Sequence, residues 1–188
     1  MIDNIYATIG IIAALMFLDY YLTLKGLKMY KGKYSKHFKF ESYELNPMFR
    51  EKVQAHKYSM KHLVSVILTS ALVYFVYYFG LQNRFGLRPS TFYLVQGLVF
   101  SMLIYTVLRH IQNILIFRAI DKDPSMLSGI VRQKLAFELK AGMTHAFTAF
   151  LLLFIVYLFV PTSFTLGFAL GPLAMTYRHW TWLRKHKK

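Results

Sequence analysis

The amino-acid sequence predicts an all-α, polytopic membrane protein with five transmembrane helices. Of its 188 residues, 56% are hydrophobic and only 16% are charged, whereas a soluble domain carries about 25% charged residues. The chain is also strongly basic, with 23 Lys and Arg against 8 Asp and Glu. Charges confined to the connections between apolar segments are typical of membrane proteins, and this apolar content excludes a disordered basic tail. Cysteine is absent, which excludes disulfides, thiolate metal sites and cysteine nucleophiles.

Each predicted span is an apolar stretch close to the roughly 20 helical residues that cross a bilayer core. The first is interrupted only by Asp19 and Lys25, and the second and third carry no charge. The fifth is short, with Trp180 and Trp182 beyond its end, and Pro161 predicts a tight hairpin between the fourth and fifth. Within one integral membrane domain, residues 1–188, the expected spans are residues 5–27, 63–81, 91–108, 143–160 and 162–177.

The distribution of basic residues predicts the orientation. Two long connections, residues 28–62 and 109–142, together with Lys25 and the C-terminal tail, hold 21 of the 23 Lys and Arg. Because basic loops stay in the cytoplasm, we expect a multi-pass protein of the cell (inner or plasma) membrane with its N-terminus outside and its C-terminus cytoplasmic. A four-span chain would place the basic tail outside. No Lys or Arg precedes the first span, so we expect an uncleaved helix rather than a signal peptide.

The first connection begins with alternating basic and aromatic residues, KMYKGKYSKHFKF. Lysines near an anionic leaflet contribute about 1 kcal/mol each, and aromatic rings anchor at the headgroups. Nucleic-acid binding would use the same residue types, but positive-inside sorting already explains these charges. We therefore expect membrane lipids, mainly anionic ones, as partners rather than nucleic acid, and a membrane-protein partner or a homo-oligomer stays open. The lysines of this basic face are Lys31, Lys33, Lys36 and Lys39.

Two further local patterns predict helix structure. Asp123 and Pro124 suit the N-cap and N1 positions of a helix, and we expect this helix to lie at the interface and lead into the fourth span. In the fifth span, Gly167 and Gly171 form a G-x-x-x-G motif, which lets another helix approach closely. We interpret it as an intramolecular packing motif rather than a dimer face.

Polar residues inside or beside the spans are the candidate functional groups. Asp19 falls in the cytoplasmic half of the first span, and Thr23 shares its helix face; headgroup solvation or a structural ion pair is an equal alternative for Asp19. After the basic stretch, Glu44, Asn46 and Pro47 indicate a shaped turn. The alternative is that Asn46 and Pro47 simply start the helix that enters the second span.

These two motifs together resemble a family of small, uncharacterised multi-span membrane proteins of bacteria and archaea. In that family, an Asp and a Thr in the first helix precede a Gly and an E-x-N-P before the second helix. The resemblance covers roughly residues 15–80, through Asp19-x-x-x-Thr23 and Glu44-x-Asn46-Pro47. This chain differs by a longer basic insert before Glu44 and by extra C-terminal spans. The resemblance implies candidate residues but no reaction.

Histidines lie at the predicted cytoplasmic ends of the later spans, at His62, His110, His145 and His179. We expect a polar pocket that opens to the cytoplasm. Its candidate residues are Asp19, Thr23, Glu44, Asn46, Arg109, His110, Asn113 and His145. Such groups can act as acid and base, hold a phosphate headgroup with Arg109, or bind a divalent metal. No H-x-x-x-H or H-E-x-x-H spacing occurs, so the cofactor stays unknown, and a divalent metal at His110 and His145 stays an open alternative.

Three functions are compatible with this pattern. The preferred one is binding of an anionic lipid or a lipid-linked molecule at the cytoplasm-facing pocket. The second is a membrane-embedded enzyme, metal-dependent or not, that acts on a lipid substrate. The third is a small transporter or a subunit of a membrane complex. Transport is disfavoured because the polar groups gather at one depth, whereas an ion path uses groups at several depths.

Overall fold

The computed structural model describes residues 2–82, 84–126 and 128–186, and these ranges are mostly helical. Short 3₁₀ turns lie at Tyr34–Lys36, Arg84–Gly86 and Pro124–Met126. The strands are β1 (Phe38–Phe40) and β2 (Val131–Gln133). The helices are α1 (Ile5–Gly32), α2 (Arg50–Gln54), α3 (Met60–Leu81), α4 (Pro89–Lys122), α5 (Leu135–Phe159) and α6 (Ser163–His186).

Four of the described helices, α1, α3, α4 and α5, are long and apolar enough to cross a membrane. Their outward faces expose large apolar side chains, as helices that face lipid do, for example at Leu68, Leu72, Leu152 and Leu158. This confirms the predicted class of helical membrane protein. The fifth predicted span, residues 162–177, corresponds to α6 except for its first residue, and α6 has 24 residues but is not among these four helices.

Most of these helices extend past their predicted spans, and they do so towards the same end of the bundle. α1 continues to Gly32, α4 continues to Lys122 and α5 already begins at Leu135. A helix satisfies its own backbone hydrogen bonds, so it can leave an apolar layer without ending. We call this end, which carries residues 33–59, 123–126 and 128–134 and the last turns of α6, the basic end. The other end carries residues 2–4, 84–88 and 160–162.

The sequence predicts an interfacial helix that begins at Asp123 and Pro124, and this prediction is wrong. Pro124–Met126 form a single 3₁₀ turn, and Gly129 has a φ of 78°, which a helix cannot contain. The following Val131–Gln133 form β2, which pairs in parallel with β1 so that Phe38 lies opposite Val131. After β1, the Glu41 carboxylate accepts the Leu135 N–H at 2.8 Å and so caps α5. The two long connections are therefore tied together at the basic end.

The second span does not begin at Asn46 and Pro47 either. The Asn46 side-chain oxygen accepts the Met48 N–H at 3.1 Å, which forms a turn rather than a helix start. The chain then passes through the short α2 and reaches α3 only at Met60. Of the two interpretations of this motif, the structure contains the shaped turn.

The last helix, α6, packs along both α4 and α5. Gly167 lies against the Leu94 carbonyl, and Gly171 lies against the Leu98 carbonyl and Ser101, so α6 runs parallel to α4. At the basic end, Leu183 packs with Leu135 and Leu139 of α5. The G-x-x-x-G residues therefore lie at a close helix contact inside one chain. The α5–α6 turn is short, and Thr162 and Thr165 cap it with reciprocal N–H to Oγ1 bonds of 3.0 and 3.1 Å.

Candidate functional site

Asp19, Thr23 and His110 meet between α1 and α4 near the basic end. His110 Nε2 lies 3.0 Å from Thr23 Oγ1 and 3.3 Å from Asp19 Oδ1. The Thr23 hydroxyl donates its own hydrogen to the Asp19 carbonyl oxygen at 2.9 Å. Its Oγ1 must therefore accept from the imidazole, which places a proton on Nε2. The opposite ring nitrogen, Nδ1, is buried and has no hydrogen-bond partner among the described residues.

The loop after β1 places Glu44 near Asp19 and His110. Its Oε1 accepts the Asn46 N–H at 2.6 Å, and the Ser42 hydroxyl donates to the Glu44 carbonyl oxygen at 2.7 Å. Burial raises the pKa of the Glu44 carboxyl above its usual 4.5, and the nearby Asp19 adds to this rise, while the Asn46 N–H, His110 and Arg178 counteract it. Glu44 is therefore a carboxyl group that takes up a proton more readily than one in water.

Arg178, on α6, is a member of this site that the sequence did not single out. Its charge acts on both Glu44 and Asp19, and its guanidinium lies 4.5 Å from the centre of the Trp182 ring. Its Nε is buried and lacks a partner within the described chain. In the sequence, Arg178 is the first of five basic residues in the tail. Positive-inside sorting is enough to explain a positive charge at this position. The only local signal was Trp182, one helical turn later.

We call Asp19, Thr23, Glu44, His110 and Arg178 the polar cluster. It is contributed by α1, the loop after β1, α4 and α6. His62, on α3, is buried beside Tyr20 with ring centres 4.5 Å apart, and its Nε2 also has no partner in the described ranges. The loop itself is anchored by Tyr43, whose hydroxyl lies directly against Gly26 of α1.

Arg109 and His145 lie in a different place. Together with Tyr105, Leu108 and Gln112, they line a surface cleft of about 200 Å³ between α4 and α5. His179 is buried behind this cleft, against Gly142. Asn113 is half-buried and makes no hydrogen bond to the polar cluster. The residues expected to form one pocket thus fall into two groups on different sides of α4.

The described residues contain no group of three or more His, Asp or Glu side chains placed to hold a metal ion. The nearest arrangement is the Asp19–His110 pair, which has a hydroxyl rather than a third ligand beside it. His145 lies in the cleft with Arg109, whose charge would repel a cation. The geometry therefore offers no support for a metal at His110 and His145.

The lysines of the basic face are exposed on and after the end of α1. Lys31 Nζ donates to the Gln54 carbonyl oxygen at 2.6 Å, and Lys33 pairs with Asp121 of α4 at 3.2 Å. Lys36 and Lys39 are exposed beside and within β1. These exposed pairs contribute little to stability, so the lysines remain available to a charged surface.

The chain matches no protein-family model, and neither the curated proteins nor the solved structures include a significant match to it. The resemblance based on Asp19, Thr23 and the Glu44–Pro47 motif therefore stays a prediction. The chemistry of the polar cluster has to be argued from its own residues.

Proposed function

We propose that the chain crosses the cell membrane five times, with the N-terminus outside and the basic end in the cytoplasm. α6 supports this topology because it follows α4 from Gly167 and reaches the start of α5 at Leu183, so it is as tall as its neighbours. Its polar residues, including Arg178 and Arg184, are gathered in its last turns. The β1–β2 pair joins both basic connections at the end where α6 finishes, as positive-inside sorting requires.

For this cytoplasmic side, we propose that the polar cluster binds the phosphate-bearing headgroup of an anionic lipid or a lipid-linked molecule. The observation that carries the proposal is a buried hydrogen-bond donor, the Arg178 Nε–H, which has no partner in the described chain. An unpaired buried donor costs about 1–3 kcal/mol. A ligand rich in acceptor oxygens would satisfy it.

The charge of Arg178 favours the same class of ligand, whereas the Asp19 carboxylate opposes it. Arg178 is a permanent cation, and its planar guanidinium suits phosphate oxygens. Glu44 opposes an anion only while it is ionised, and burial raises the pKa of its carboxyl. When Glu44 takes up a proton, the cluster exchanges a negative charge for a hydrogen-bond donor. Anion binding and protonation of Glu44 would therefore reinforce each other.

Native mass spectrometry of the purified protein with phosphatidylglycerol tests this proposal. We expect Arg178→Gln to weaken lipid retention about fivefold, the effect of one basic residue near a membrane surface. The matched control is Arg84→Gln, which removes an exposed arginine at the other end of the bundle and should change nothing. Phosphatidylcholine carries the same phosphate but has no net charge, so Arg178→Gln should lower its retention less than that of phosphatidylglycerol. Unchanged phosphatidylglycerol retention by Arg178→Gln would rule out the cluster as the binding site.

A membrane-embedded enzyme is a second candidate because of the way His110 is held. Asp19 and Thr23 both contact Nε2, which orients the ring and leaves Nδ1 as a possible general base. Incubation of the protein with labelled inner-leaflet lipids, followed by lipid analysis, separates the candidates. An enzyme would convert the lipid, and His110→Gln would abolish conversion while lipid retention persists. Retention without conversion by the unaltered protein favours the binding function.

A further inference from the structure

The cleft between α4 and α5 is a second polar site, on the outer surface of the bundle. Of its lining residues, Gln112 and His145 are exposed, and Leu108 is 57% exposed. Arg109 lies 20 residues after the start of α4 at Pro89. At 1.5 Å per residue that is about 30 Å, the thickness of a hydrocarbon core. The cleft therefore opens sideways, at the level where lipid headgroups begin.

Arg109 is held in place rather than extended freely into solvent. Its Nη1 lies 3.1 Å from the position that a Cβ on Gly142 would take. The Tyr105 hydroxyl donates to the Gly142 carbonyl oxygen at 3.2 Å and lies within hydrogen-bonding reach of Arg109. The absence of a side chain at Gly142 thus makes room for the guanidinium. Donors that are already positioned bind a ligand at a lower entropic cost.

An apolar surface continues from the cleft towards the other end of the bundle. Leu152, Val156 and Phe159 follow His145 along α5, and all three side chains are exposed. They lie 7, 11 and 14 residues after His145, a spacing that places them on the same helix face as His145. A polar cleft at headgroup level followed by an apolar stripe matches a lipid molecule, with its phosphate in the cleft and an acyl chain on the stripe.

We propose that this cleft binds the phosphate of an anionic lipid from the leaflet at the basic end. Basic grooves between transmembrane helices are known to hold anionic headgroups. Arg109, His145 and Gln112 provide the donors, and the lipid bridges α4 and α5. The site is separate from the polar cluster, because Arg109 and the cluster's His110 point to different sides of α4. It does not depend on the cluster binding any ligand.

Substitution of Glu138 distinguishes lipid binding at the cleft from a role in helix packing alone. The positive charge of Arg109 acts on its carboxyl group, so Glu138 competes with an incoming phosphate for that charge. We therefore expect Glu138→Gln to strengthen binding of phosphatidylglycerol. A residue that only packed the helices together would not produce an increase.

The experiment counts phosphatidylglycerol molecules retained by the purified full chain in native mass spectrometry. His145→Gln changes an exposed side chain and leaves the interior intact, and Arg109→Gln removes the main cation. We expect each to weaken retention of one lipid, by about fivefold for Arg109→Gln, while Glu138→Gln strengthens it. Excess inorganic phosphate should not displace the lipid, because it lacks the acyl chains that contact the stripe.

Two results would overturn the proposal. Retention unchanged in both Arg109→Gln and His145→Gln would show that the cleft holds no lipid. Displacement by inorganic phosphate would identify a site for a free anion instead. Arg178→Gln separates this test from that of the polar cluster, because it should lower retention at the cluster and leave the Arg109-dependent lipid in place. Failure at one site therefore leaves the other result standing.

Discussion

At the scale of single residues, the position of Glu44 depends on how its loop is fixed to α1. The preceding residue, Tyr43, stacks on Tyr30 with ring centres 5.8 Å apart, and its hydroxyl lies against Gly26. That hydroxyl is buried and has no hydrogen-bond partner in the described chain. Gly26 therefore serves as the surface on which Tyr43 rests, and Tyr43 positions the carboxyl group that follows it.

This contact predicts a rescue. A Cβ at Gly26 would overlap the Tyr43 hydroxyl, so Gly26→Ala should lower the free energy of unfolding by about 1–3 kcal/mol. Tyr43→Phe removes an unpaired polar atom and should be neutral or stabilising. The double variant should therefore recover most of the loss, measured by thermal unfolding in detergent. A Gly26→Ala protein as stable as the unaltered one, or a double variant no better than Gly26→Ala, would refute the contact.

The sequence indicates some members of the polar cluster and misses others for a physical reason. Asp19 and Thr23 are four residues apart on one helix, so their shared face follows from helix geometry alone. Arg178 joins them only through the packing of α6, which no local pattern reveals. Arg109 and His110 are neighbours in the sequence, but successive helical residues point about 100° apart. One polar stretch of α4 thus serves two separate sites.

At the scale of elements, the contact between α4 and α6 relies on three glycines. Gly97 faces the Phe164 and Phe168 backbone, Gly167 faces the Leu94 carbonyl, and Gly171 faces the Leu98 carbonyl. These neighbours are backbone atoms, which cannot rotate away as a side chain can. The two helices are held at this distance by the lack of side chains.

Substitution of these glycines should therefore separate the helices. Gly167→Ala is expected to destabilise the protein by about 1–3 kcal/mol because the helix backbones must move apart. Gly10→Ala, also in a helix but with nothing near its Cβ position, is the matched control and should stabilise by about 0.5–1 kcal/mol. Thermal melting of the helical circular-dichroism signal measures both. Equal melting temperatures for the two variants would contradict the close approach.

The apolar helices could be predicted from the sequence, whereas the connections could not. An uninterrupted run such as residues 63–81 has few alternatives to a spanning helix. The strand at Val131–Gln133 has only three residues, and its partner lies 93 positions earlier at Phe38–Phe40. Such a strand is stabilised by its pairing rather than by its own residues. The role of Asn46 could not be predicted either. Its side-chain oxygen accepts the Met48 N–H in a turn, although Asn is equally suited to cap a long helix.

At the scale of the whole molecule, both proposed sites lie towards the basic end. The polar cluster lies between α1, α4 and α6, and the cleft lies between α4 and α5 on the outer surface. Both can meet anionic lipid of the cytoplasmic leaflet only if this end faces the cytoplasm. The polar cluster also requires α6 as a fifth crossing, since a four-span chain would leave the last turns of α6, with Arg178, outside.

Cysteine labelling in intact cells tests this orientation most directly. The chain has no native cysteine, so each single-cysteine variant reports one position. We expect a membrane-impermeant maleimide to label Arg84→Cys from outside and to label Ser128→Cys and Lys185→Cys only after the membrane is permeabilised. All three side chains are exposed in the structure. Labelling of Lys185→Cys in intact cells would show that α6 does not cross, and would contradict the account of both sites.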